Sequence, residues 1–472
     1  MEKKKYKNIY IDALALIPER KSGIGLTIEN TLENLIKINN PANDYNIILV
    51  VPLGKAKYLN KYIRKGVSVK TIYMPAKLLQ LLLKMNLLLP LDWFLGKGIY
   101  IFPNYRNWPL WKSFSITYVY DIGFITFPET VQPKNRKFLS QNIRRWINRT
   151  DRIITISEFM KIEIEKYLDV FYQKLAVVYC GVDRKLYYHR NQSEIQKIKN
   201  KYNILFDKYL LFVGNIEPRK NLFLLLKAYQ KLKENNEFGL VIIGGDGWLN
   251  EEVLQEIEKM KTQNYKILKV DKYVTNEDLP AIYSGASALV HPAIYEGFGL
   301  TPLEALACKT PVAVSNIPTI KEVVQNLGYY FNPSNVRSIT NTISELLNDE
   351  KIEKLKPKLG SYLFRWEDSA NQLIGVINQL NSEASPRPIL KRLKYIYKLI
   401  DNKLRSIFGE KILPPYIPRE AKSEKELRQI LLIDYLNEQP NILQIYSLFI
   451  YLKTKHILAF FIKRVILSST DK

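Results

Sequence analysis

The chain contains two consecutive series of short, uninterrupted apolar segments. Within each series, helical stretches separate the segments, and this pattern fits only a few architectures. The segments are rich in Ile, Val and Tyr. Runs of this kind are typical of strands buried on both faces, and their alternation with helices favours parallel sheets. The first series is predicted at residues 9–11, 47–51, 99–102, 116–120, 153–156 and 176–179. The second is predicted at residues 209–213, 240–243, 265–268, 288–291, 312–314 and 328–331.

The simplest architecture for such a pattern is α/β, with two doubly wound domains in succession. We expect an N-terminal domain over residues 1–190 and a C-terminal domain over residues 191–365, joined by a charged helical stretch at about 193–202. Ligands of doubly wound sheets bind beyond the carboxyl ends of the strands. The cleft between the two domains is therefore the expected working site.

Beyond residue 381 the composition changes, and residues 382–472 are predicted to form a basic, mainly helical tail. Cations and aromatic residues are mixed between 389 and 411, a composition that suits an anionic lipid surface. A helical hairpin packed on the protein or on a protein partner fits this tail equally well. Lysines and an arginine interrupt the apolar stretch 442–467, and residues 78–89 are too few to cross a bilayer. The latter segment is predicted to be a buried helix.

The charge balance indicates an acidic ligand or surface. The formal net charge is +24, from 70 Lys and Arg against 46 Asp and Glu. Such a balance suits phosphates, an anionic membrane or nucleic acid, but no nucleic-acid recognition motif accompanies the charge. Cys180 and Cys308 are too few for a zinc cluster or a disulfide framework, so a reducing compartment fits best. No Asp-x-Asp pair occurs, and no metal or other cofactor is expected.

The most specific motif is the run 295–304, YEGFGLTPLE, which follows a predicted strand. Gly297 and Gly299 permit a sharp turn and a close approach to a ligand, and a helix is predicted to begin near Thr301. Backbone amides at a helix start can bind an anion. Glu296 lies in the loop and Glu304 about two turns further along, so both carboxylates can face the strand ends.

A second motif follows the first strand of the C-terminal series. Gly214 begins the loop, and Arg219 and Lys220 then offer a planar fork and a compact charge suited to a pyrophosphate. Gly23 and Gly25 form a weaker glycine motif after the first strand of the chain, equally consistent with a structural turn. The loop 244–247, GGDG, is interpreted as a turn.

In combination, these motifs resemble the retaining glycosyltransferases of family 4. The pattern Glu296-x₇-Glu304 and the run 217–221, EPRKN, carry the resemblance, which extends over about residues 6–381. It implies the GT-B fold, in which two Rossmann-like domains face a cleft. It also implies that a helix at about 366–381 crosses back to the N-terminal domain.

The resemblance also implies roles for individual residues. Arg219 and Lys220, with Gly214, would bind the diphosphate of a nucleotide-sugar donor, and Glu304 would bind its ribose. The donor sugar would be held by Glu296 with the backbone near Phe298, Gly299 and Leu300. The N-terminal domain would be the acceptor side of the cleft and the C-terminal domain the donor-binding side. From the N-terminal domain, Gly23, Gly25 and Tyr120 would line the cleft, and Asp121 would take part in catalysis.

One position departs from the family pattern. A histidine usually precedes the aspartate, and here the pair is Tyr120 and Asp121. A tyrosine can donate a hydrogen bond to a sugar or phosphate but cannot shuttle protons near neutral pH as imidazole does.

The resulting hypothesis is a cytoplasmic hexosyltransferase that retains anomeric configuration and acts in surface polysaccharide or glycolipid synthesis. Its substrates would be a nucleotide-diphosphate sugar and a glycan or lipid-linked acceptor. The tail would contact the cytoplasmic face of the membrane or a protein partner, and no nucleic acid would be bound. The alternative is a weakly active or inactive sugar-nucleotide-binding subunit of a glycan-assembly complex.

Overall fold

Two parallel β-sheets follow one another along the chain. A computed structural model describes residues 6–18, 21–39, 45–72, 90–232, 237–348 and 364–382. The first sheet has seven strands in the order β3-β2-β1-β4-β5-β6-β7. They are β1 Asn8–Asp12, β2 Asn46–Pro52, β3 Ser68–Ile72, β4 Ile99–Phe102, β5 Phe114–Tyr118, β6 Arg152–Thr155 and β7 Leu175–Val177. The strand order reverses between β1 and β4, where Ile9 pairs with Ile99.

The second sheet has six strands in the order β10-β9-β8-β11-β12-β13. They are β8 Lys208–Val213, β9 Phe238–Ile243, β10 Ile267–Lys269, β11 Ala288–His291, β12 Val312–Ser315 and β13 Gly328–Phe331. Here the order reverses between β8 and β11, where Leu211 pairs with Leu289. Loops that leave the carboxyl ends of β8 and β11 diverge at this point and open a crevice for a ligand.

Helices alternate with the strands and begin or end where the local sequence dictates. α1 starts after Ser22, whose hydroxyl accepts a hydrogen bond from the Gly25 amide at 3.3 Å. In the first half they are α1 Gly23–Ile38, α2 Asn60–Ile63, α3 Asp92–Leu95, α4 Gly123–Thr126, α5 Pro133–Arg149, α6 Glu158–Leu168 and α7 Gln192–Lys201. In the second they are α8 Leu222–Lys231, α9 Glu251–Thr262, α10 Leu279–Gly285, α11 Leu300–Ala307, α12 Pro318–Val324, α13 Val336–Asn348 and α14 Trp366–Ser382.

Both sheets are buried on both faces, as uninterrupted apolar strands require. On β1, Ile9 and Ile11 enter one apolar cluster while Tyr10, between them, enters another and stacks on Tyr100 at 4.4 Å. All four residues of β11 are buried. Side chains alternate along a strand, so neither face of such a strand can be left in water without exposing apolar area.

The last described helix, α14, returns to the first sheet. It packs against α1, and Asn381 exchanges two hydrogen bonds with the backbone of Tyr6, at 2.9 and 3.0 Å. The hydroxyl of Tyr45 donates to Asn378 Oδ1 at 2.5 Å. A segment that follows the second sheet therefore completes the packing of the first.

The structure confirms the α/β fold of two parallel-sheet domains but adds a strand that the sequence pattern missed. β3 lies at the edge of the first sheet, is only partly buried and carries Lys70. An edge strand has one unpaired side and need not be uniformly apolar, which explains the omission. The predicted helix at 78–89 and the tail from residue 383 onward lie outside the described residues. Across the part of the chain that is described, no helix has the length and apolarity to cross a bilayer.

Candidate active site

The loop after β8 is held firmly at the strand-order reversal. Asn221 adopts a left-handed backbone conformation, and its side-chain amide donates to Pro292 O at 2.9 Å and to Pro333 O at 2.8 Å. The amide of Ile294 donates to Arg219 O at 3.0 Å. These bonds tie the loop after β8 to the loops after β11 and β13, so the side chains of Arg219 and Lys220 start from a fixed backbone.

Arg219, Lys220 and Glu296 form a buried ionic cluster. Arg219 Nη1 donates to Glu296 Oε2 at 2.8 Å, and Lys220 Nζ donates to Glu296 Oε1. Burial by itself would raise the pKa of Glu296, but the charges of Lys220 and Arg219 outweigh burial and hold that pKa well below its usual range. Glu217 Oε2 also lies 4.0 Å from Arg219 Nη2, and Asp121 acts on Arg219 as well, so Glu296 is the carboxylate that the two cations share.

His291 lies beneath this cluster and adds no charge. Its Nε2 is 3.3 Å from Glu296 Oε1, and the side chain is 2% exposed. Burial lowers the pKa of His291 below its ordinary value, against the opposing effect of Glu296. The imidazole is therefore neutral at pH 7, and His291 is a buried packing residue.

The glycines of the 295–304 run serve close packing and a tight turn. A Cβ at Gly297 would lie 2.5 Å from Tyr120 O, so this loop meets the first sheet's Tyr120–Asp121 segment at a distance that only glycine allows. Gly299 has φ +105° and precedes α11. Phe298 and Gly299 therefore lead from Glu296 into α11, which begins at Leu300 with backbone amides of the kind that can bind an anionic group.

Glu304 occupies a different environment from Glu296. Its carboxylate accepts a hydrogen bond from the Tyr283 hydroxyl at 2.9 Å, and Tyr187 lies close enough to bond to it as well. Burial raises the pKa of Glu304 to about 7, and the two tyrosine hydroxyls and Lys220 only partly oppose it. One carboxylate of the pair is thus firmly ionised, while the other titrates near neutral pH.

Because the pKa of Glu304 is raised, the free energy of unfolding should depend on pH, and Glu304→Gln should remove this dependence. Between about pH 4.5 and 7 the folded protein keeps a proton on Glu304 that the unfolded chain has already released. The free energy of unfolding should therefore fall as pH rises through this window and level off above it, by about 3 kcal/mol in all. Urea unfolding of both proteins at several pH values measures this slope. An equal slope in wild type and Glu304→Gln would contradict the prediction.

On the first sheet, Tyr120 does not present its hydroxyl to the cleft. The hydroxyl donates to Pro103 O at 3.0 Å, and the side chain is 5% exposed. Its ring packs beside those of Tyr105 and Tyr118. The residue in the histidine position is thus a packing residue that reaches the cleft through its backbone carbonyl.

Asp121, the next residue, faces the ionic cluster. Its Oδ1 accepts from the Gly123 amide at 3.1 Å. Burial lowers the pKa of Arg219, but Glu296 and then Asp121 outweigh this and raise it. The amide of Asp121 donates to the hydroxyl of Tyr105 at 3.1 Å, and Tyr105 has a left-handed backbone. Nothing in the local sequence singles out Tyr105, whose role depends on the neighbouring strand end.

Polar contacts fasten the two sheets to each other beside this cluster. Ser157 donates its hydroxyl to Gly297 O at 3.1 Å. The carboxylate of Glu322, on α12, accepts from the amides of Glu158 at 2.7 Å and Phe159 at 3.0 Å. An anion at a helix N-terminus satisfies otherwise unpaired amides and complements the helix dipole, so Glu322 caps α6 from across the cleft.

The remaining predicted residues are placed at the rims of the site. Gly214, with φ +153°, begins the loop that carries Arg219 and Lys220. Gly23 and Gly25 lie at the start of α1, where a Cβ on Gly23 would meet nothing within 4 Å and one on Gly25 would lie 3.0 Å from Ala15 O. Gly244 packs against Gly214, since its Cβ would lie 1.9 Å from Gly214 O, as a structural turn requires. Within the described ranges no group of three or more His, Cys, Asp or Glu side chains could hold a metal ion.

Two Rossmann-like parallel sheets, with the Arg219–Lys220–Glu296 cluster at the strand-order reversal of the second, have the architecture of the GT-B fold. Residues 194–362 match the family model of the glycosyl transferases group 1. The chain is 31% identical to O-antigen chain mannosyltransferase B of Escherichia coli, over 56% of this chain and 70% of the relative. It is 30% identical to O-antigen chain mannosyltransferase RfbU of Salmonella typhimurium, over 57% and 69%. The chain therefore belongs to the group 1 glycosyltransferases.

Solved structures share the same fold at low sequence identity. Sucrose-phosphate synthase from Thermosynechococcus elongatus superposes with a TM-score of 0.57 and 16% identity, over 79% of this chain and 99% of that one. Anabaena HepE, solved with UDP and glucose, has the same TM-score, identity and coverage. These structures confirm the predicted fold, and the two mannosyltransferase relatives confirm the predicted class of enzyme.

Proposed function

We propose that this protein is a family 4 retaining glycosyltransferase that moves a hexose from a nucleoside diphosphate to a glycan or lipid-linked acceptor. The observation that carries the proposal is the Arg219–Lys220–Glu296 cluster at the carboxyl ends of β8 and β11. Its two adjacent cations suit a group that becomes more negative during the reaction. A departing nucleoside diphosphate is such a group.

The cluster suggests how the chain would promote transfer without relying on a bound cofactor. Arg219 can bond two phosphate oxygens through its planar fork, and Lys220 can place a compact charge on the same diphosphate. Glu296 keeps both cations preoriented before the donor arrives, so little reorganisation is needed as charge develops. Departure of the diphosphate and attack by the acceptor on the same face of the sugar would retain the anomeric configuration.

The two carboxylates of the Glu296-x₇-Glu304 pattern would then have separate tasks. Glu296 would stand at the donor sugar and the diphosphate, where its ionised form holds the cations. Glu304 would accept the ribose hydroxyls in exchange for the tyrosine bond it makes in the free protein. Its replacement should chiefly raise the donor's KM.

The relatives favour mannose as the sugar and a surface polysaccharide as the product. Both the Escherichia coli and the Salmonella relatives are O-antigen chain mannosyltransferases. We therefore propose mannosyl transfer in polysaccharide synthesis. A binding subunit without turnover is the less favoured alternative, because the ionic cluster is complete.

A ligand panel tests the proposal directly. GDP, UDP and ADP are compared with their monophosphates by thermal unfolding, because tight ligands raise the unfolding midpoint by mass action. A diphosphate should stabilise the protein more than its monophosphate, since Arg219 and Lys220 are assigned to the diphosphate. Consumption of GDP-mannose and other sugar nucleotides then identifies the donor. Absence of stabilisation by every diphosphate would contradict the donor site, and binding without consumption would favour the binding subunit.

We also propose that the enzyme is cytoplasmic and that its tail, from residue 382 onward, holds it at the anionic inner face of the membrane. Support comes from the basic composition alone: six cations lie between Lys391 and Arg405. Each cation near an anionic surface contributes about 1 kcal/mol. The triple change of Lys391, Arg392 and Lys394 to glutamate should therefore reduce binding to phosphatidylglycerol liposomes at low salt by more than a hundredfold.

Co-sedimentation measures this partition. Phosphatidylcholine liposomes are the matched neutral surface, and nucleotide binding should be the same in both proteins. If the wild-type protein does not co-sediment with anionic liposomes, the membrane proposal is contradicted and a protein partner is favoured.

A further inference from the structure

Tyr295 is the residue of the glycine-rich run to which the proposed donor site assigns no task. It lies directly before Glu296, in the loop that follows β11, and is 4% exposed. Its ring reaches across to the first half of the chain. The ring centroid is 5.0 Å from that of Phe127, and a Cβ on Gly123 would lie 3.1 Å from Tyr295 Cε1. A side chain from the second sheet is therefore buried against the loop that carries Asp121.

The hydroxyl of Tyr295 makes two polar contacts with the first half of the chain. It accepts a hydrogen bond from the amide of Ile122 at 3.1 Å. It donates to Glu163 Oε2, on α6, at 3.0 Å, with Met160 Sδ 3.4 Å away. One hydroxyl can accept from an amide and donate to a carboxylate at once, so both contacts are satisfied together.

The neighbours of these contacts are the residues proposed to act on the substrates. Ile122 follows Asp121, and Tyr295 precedes Glu296. The carbonyl of Tyr295 also accepts from Arg219 Nη1 at 3.2 Å. Tyr295 therefore connects the Arg219–Glu296 cluster to the backbone next to Asp121, and a movement of the cluster would shift that backbone.

The amides of the Asp121 loop are supported from two sides. Asp121 N donates to the hydroxyl of Tyr105, a residue of the same half, whereas Ile122 N donates to Tyr295, from the other half. Only the second bond depends on the relative placement of the two halves. Glu163, to which the Tyr295 hydroxyl donates, also lies near Asp121.

We infer that Tyr295 is a positioning residue, whose hydroxyl sets Asp121 on the acceptor side against the Arg219–Glu296 cluster on the donor side. The inference rests on the proposed glycosyl transfer. The hydrogen bonds of Tyr295 join the two halves, whereas nucleotide binding is assigned to the second half alone. The inference therefore concerns how the two substrates are aligned and not how the donor is bound. Small displacements of reacting groups lower rates steeply, so loss of this bond should appear in kcat.

Tyr295→Phe tests the inference because it removes the hydroxyl and keeps the ring. With the sugar nucleotide identified by the ligand panel, kcat for its consumption should fall about tenfold or more, while the donor's KM stays within about threefold. Hydrogen exchange in apo protein gives a second readout that needs no substrate. Amides of residues 120–123 should exchange roughly fivefold faster.

Tyr229→Phe is the matched control. That tyrosine is also fully buried, and its hydroxyl donates to Phe238 O at 2.8 Å within the second half. It should show a similar loss of stability but unchanged kcat and unchanged exchange at 120–123. If Tyr295 had only a structural role, Tyr295→Phe and Tyr229→Phe would have the same effect on kcat and on amide exchange at residues 120–123.

Glu163 supplies an independent variant that leaves the ring in place. Glu163→Gln keeps an oxygen that can accept from Tyr295 and should retain most of kcat, whereas Glu163→Ala should lower kcat in the same direction as Tyr295→Phe. A kcat within twofold of wild type in both Tyr295→Phe and Glu163→Ala would overturn the inference while leaving the donor site intact. Wild-type protein that binds no nucleoside diphosphate would instead overturn the proposed function, and this inference with it.

Discussion

Lys220→Ala is expected to lower kcat/KM for sugar transfer by a hundredfold or more, about 2–4 kcal/mol of transition-state stabilisation. Lys220 Nζ contacts Glu296 in the free protein and is the cation proposed to contact the diphosphate of the donor. Charge on the diphosphate grows as the glycosidic bond breaks, so the lysine contributes more in the transition state than in the bound donor. The loss should therefore fall mainly on kcat.

The remote ion pair between Lys227 and Glu256 provides the control for this variant. Its atoms are 2.9 Å apart, on α8 and α9 of the same half. Lys227→Ala removes a lysine from the same half without touching the cluster and should leave kcat/KM unchanged. The comparison is made by steady-state kinetics on proteins with matching circular dichroism. Wild-type turnover in folded Lys220→Ala would exclude the proposed clamp on the diphosphate.

Glu296→Gln is expected to lower chiefly kcat, whereas Glu304→Gln should chiefly raise the donor's KM. Neutralising Glu296 removes the carboxylate that bonds both Arg219 and Lys220, while Glu217 and Asp121 stay near Arg219. The diphosphate should bind at least as tightly as before, but both cations lose their fixed orientation. We expect kcat to fall by about a hundredfold or more while the donor's KM is unchanged or lower.

Stability provides a second measure of Glu296→Gln. Breaking a buried ionic cluster by removing one partner costs about 3 kcal/mol or more, because charges remain buried without a counterion. Urea unfolding at pH 7 should show this loss, and nucleoside diphosphate should restore part of it. Glu256→Gln, at the remote ion pair, should leave turnover unchanged. If Glu296→Gln and Glu304→Gln changed kcat and KM alike, the two carboxylates would not have separate roles.

The interior of the fold could be predicted because its strands are continuously apolar. A run such as residues 288–291 can be accommodated only where both faces are covered, and helices between such runs supply the cover. The omission of β3 marks the limit of this reasoning. Its residues are partly exposed, and pairing with β2 rather than apolar content makes them a strand.

The roles of individual polar residues could be predicted only in part. Arg219, Lys220 and Glu296 follow strand ends that parallel pairing brings together, and the structure joins them in one cluster. For Tyr120, in contrast, a place in the cleft was only what the family resemblance implied. Its hydroxyl binds Pro103 O, since the first sheet offers a buried carbonyl that would otherwise lack this donor.

The amino-acid sequence by itself determined the two parallel-sheet halves and the cationic loop at the carboxyl end of β8, because apolar periodicity and strand-end residues act locally. Tertiary structure decided which carboxylate faces the cations and which faces tyrosines, so that Glu296 is ionised while Glu304 titrates near pH 7. It also decided that Tyr295 meets Ile122 and Glu163, partners 173 and 132 residues away in the chain. Local pattern carries no information about such pairings, because burial and charge at a site depend on segments that only the folded sheets bring together.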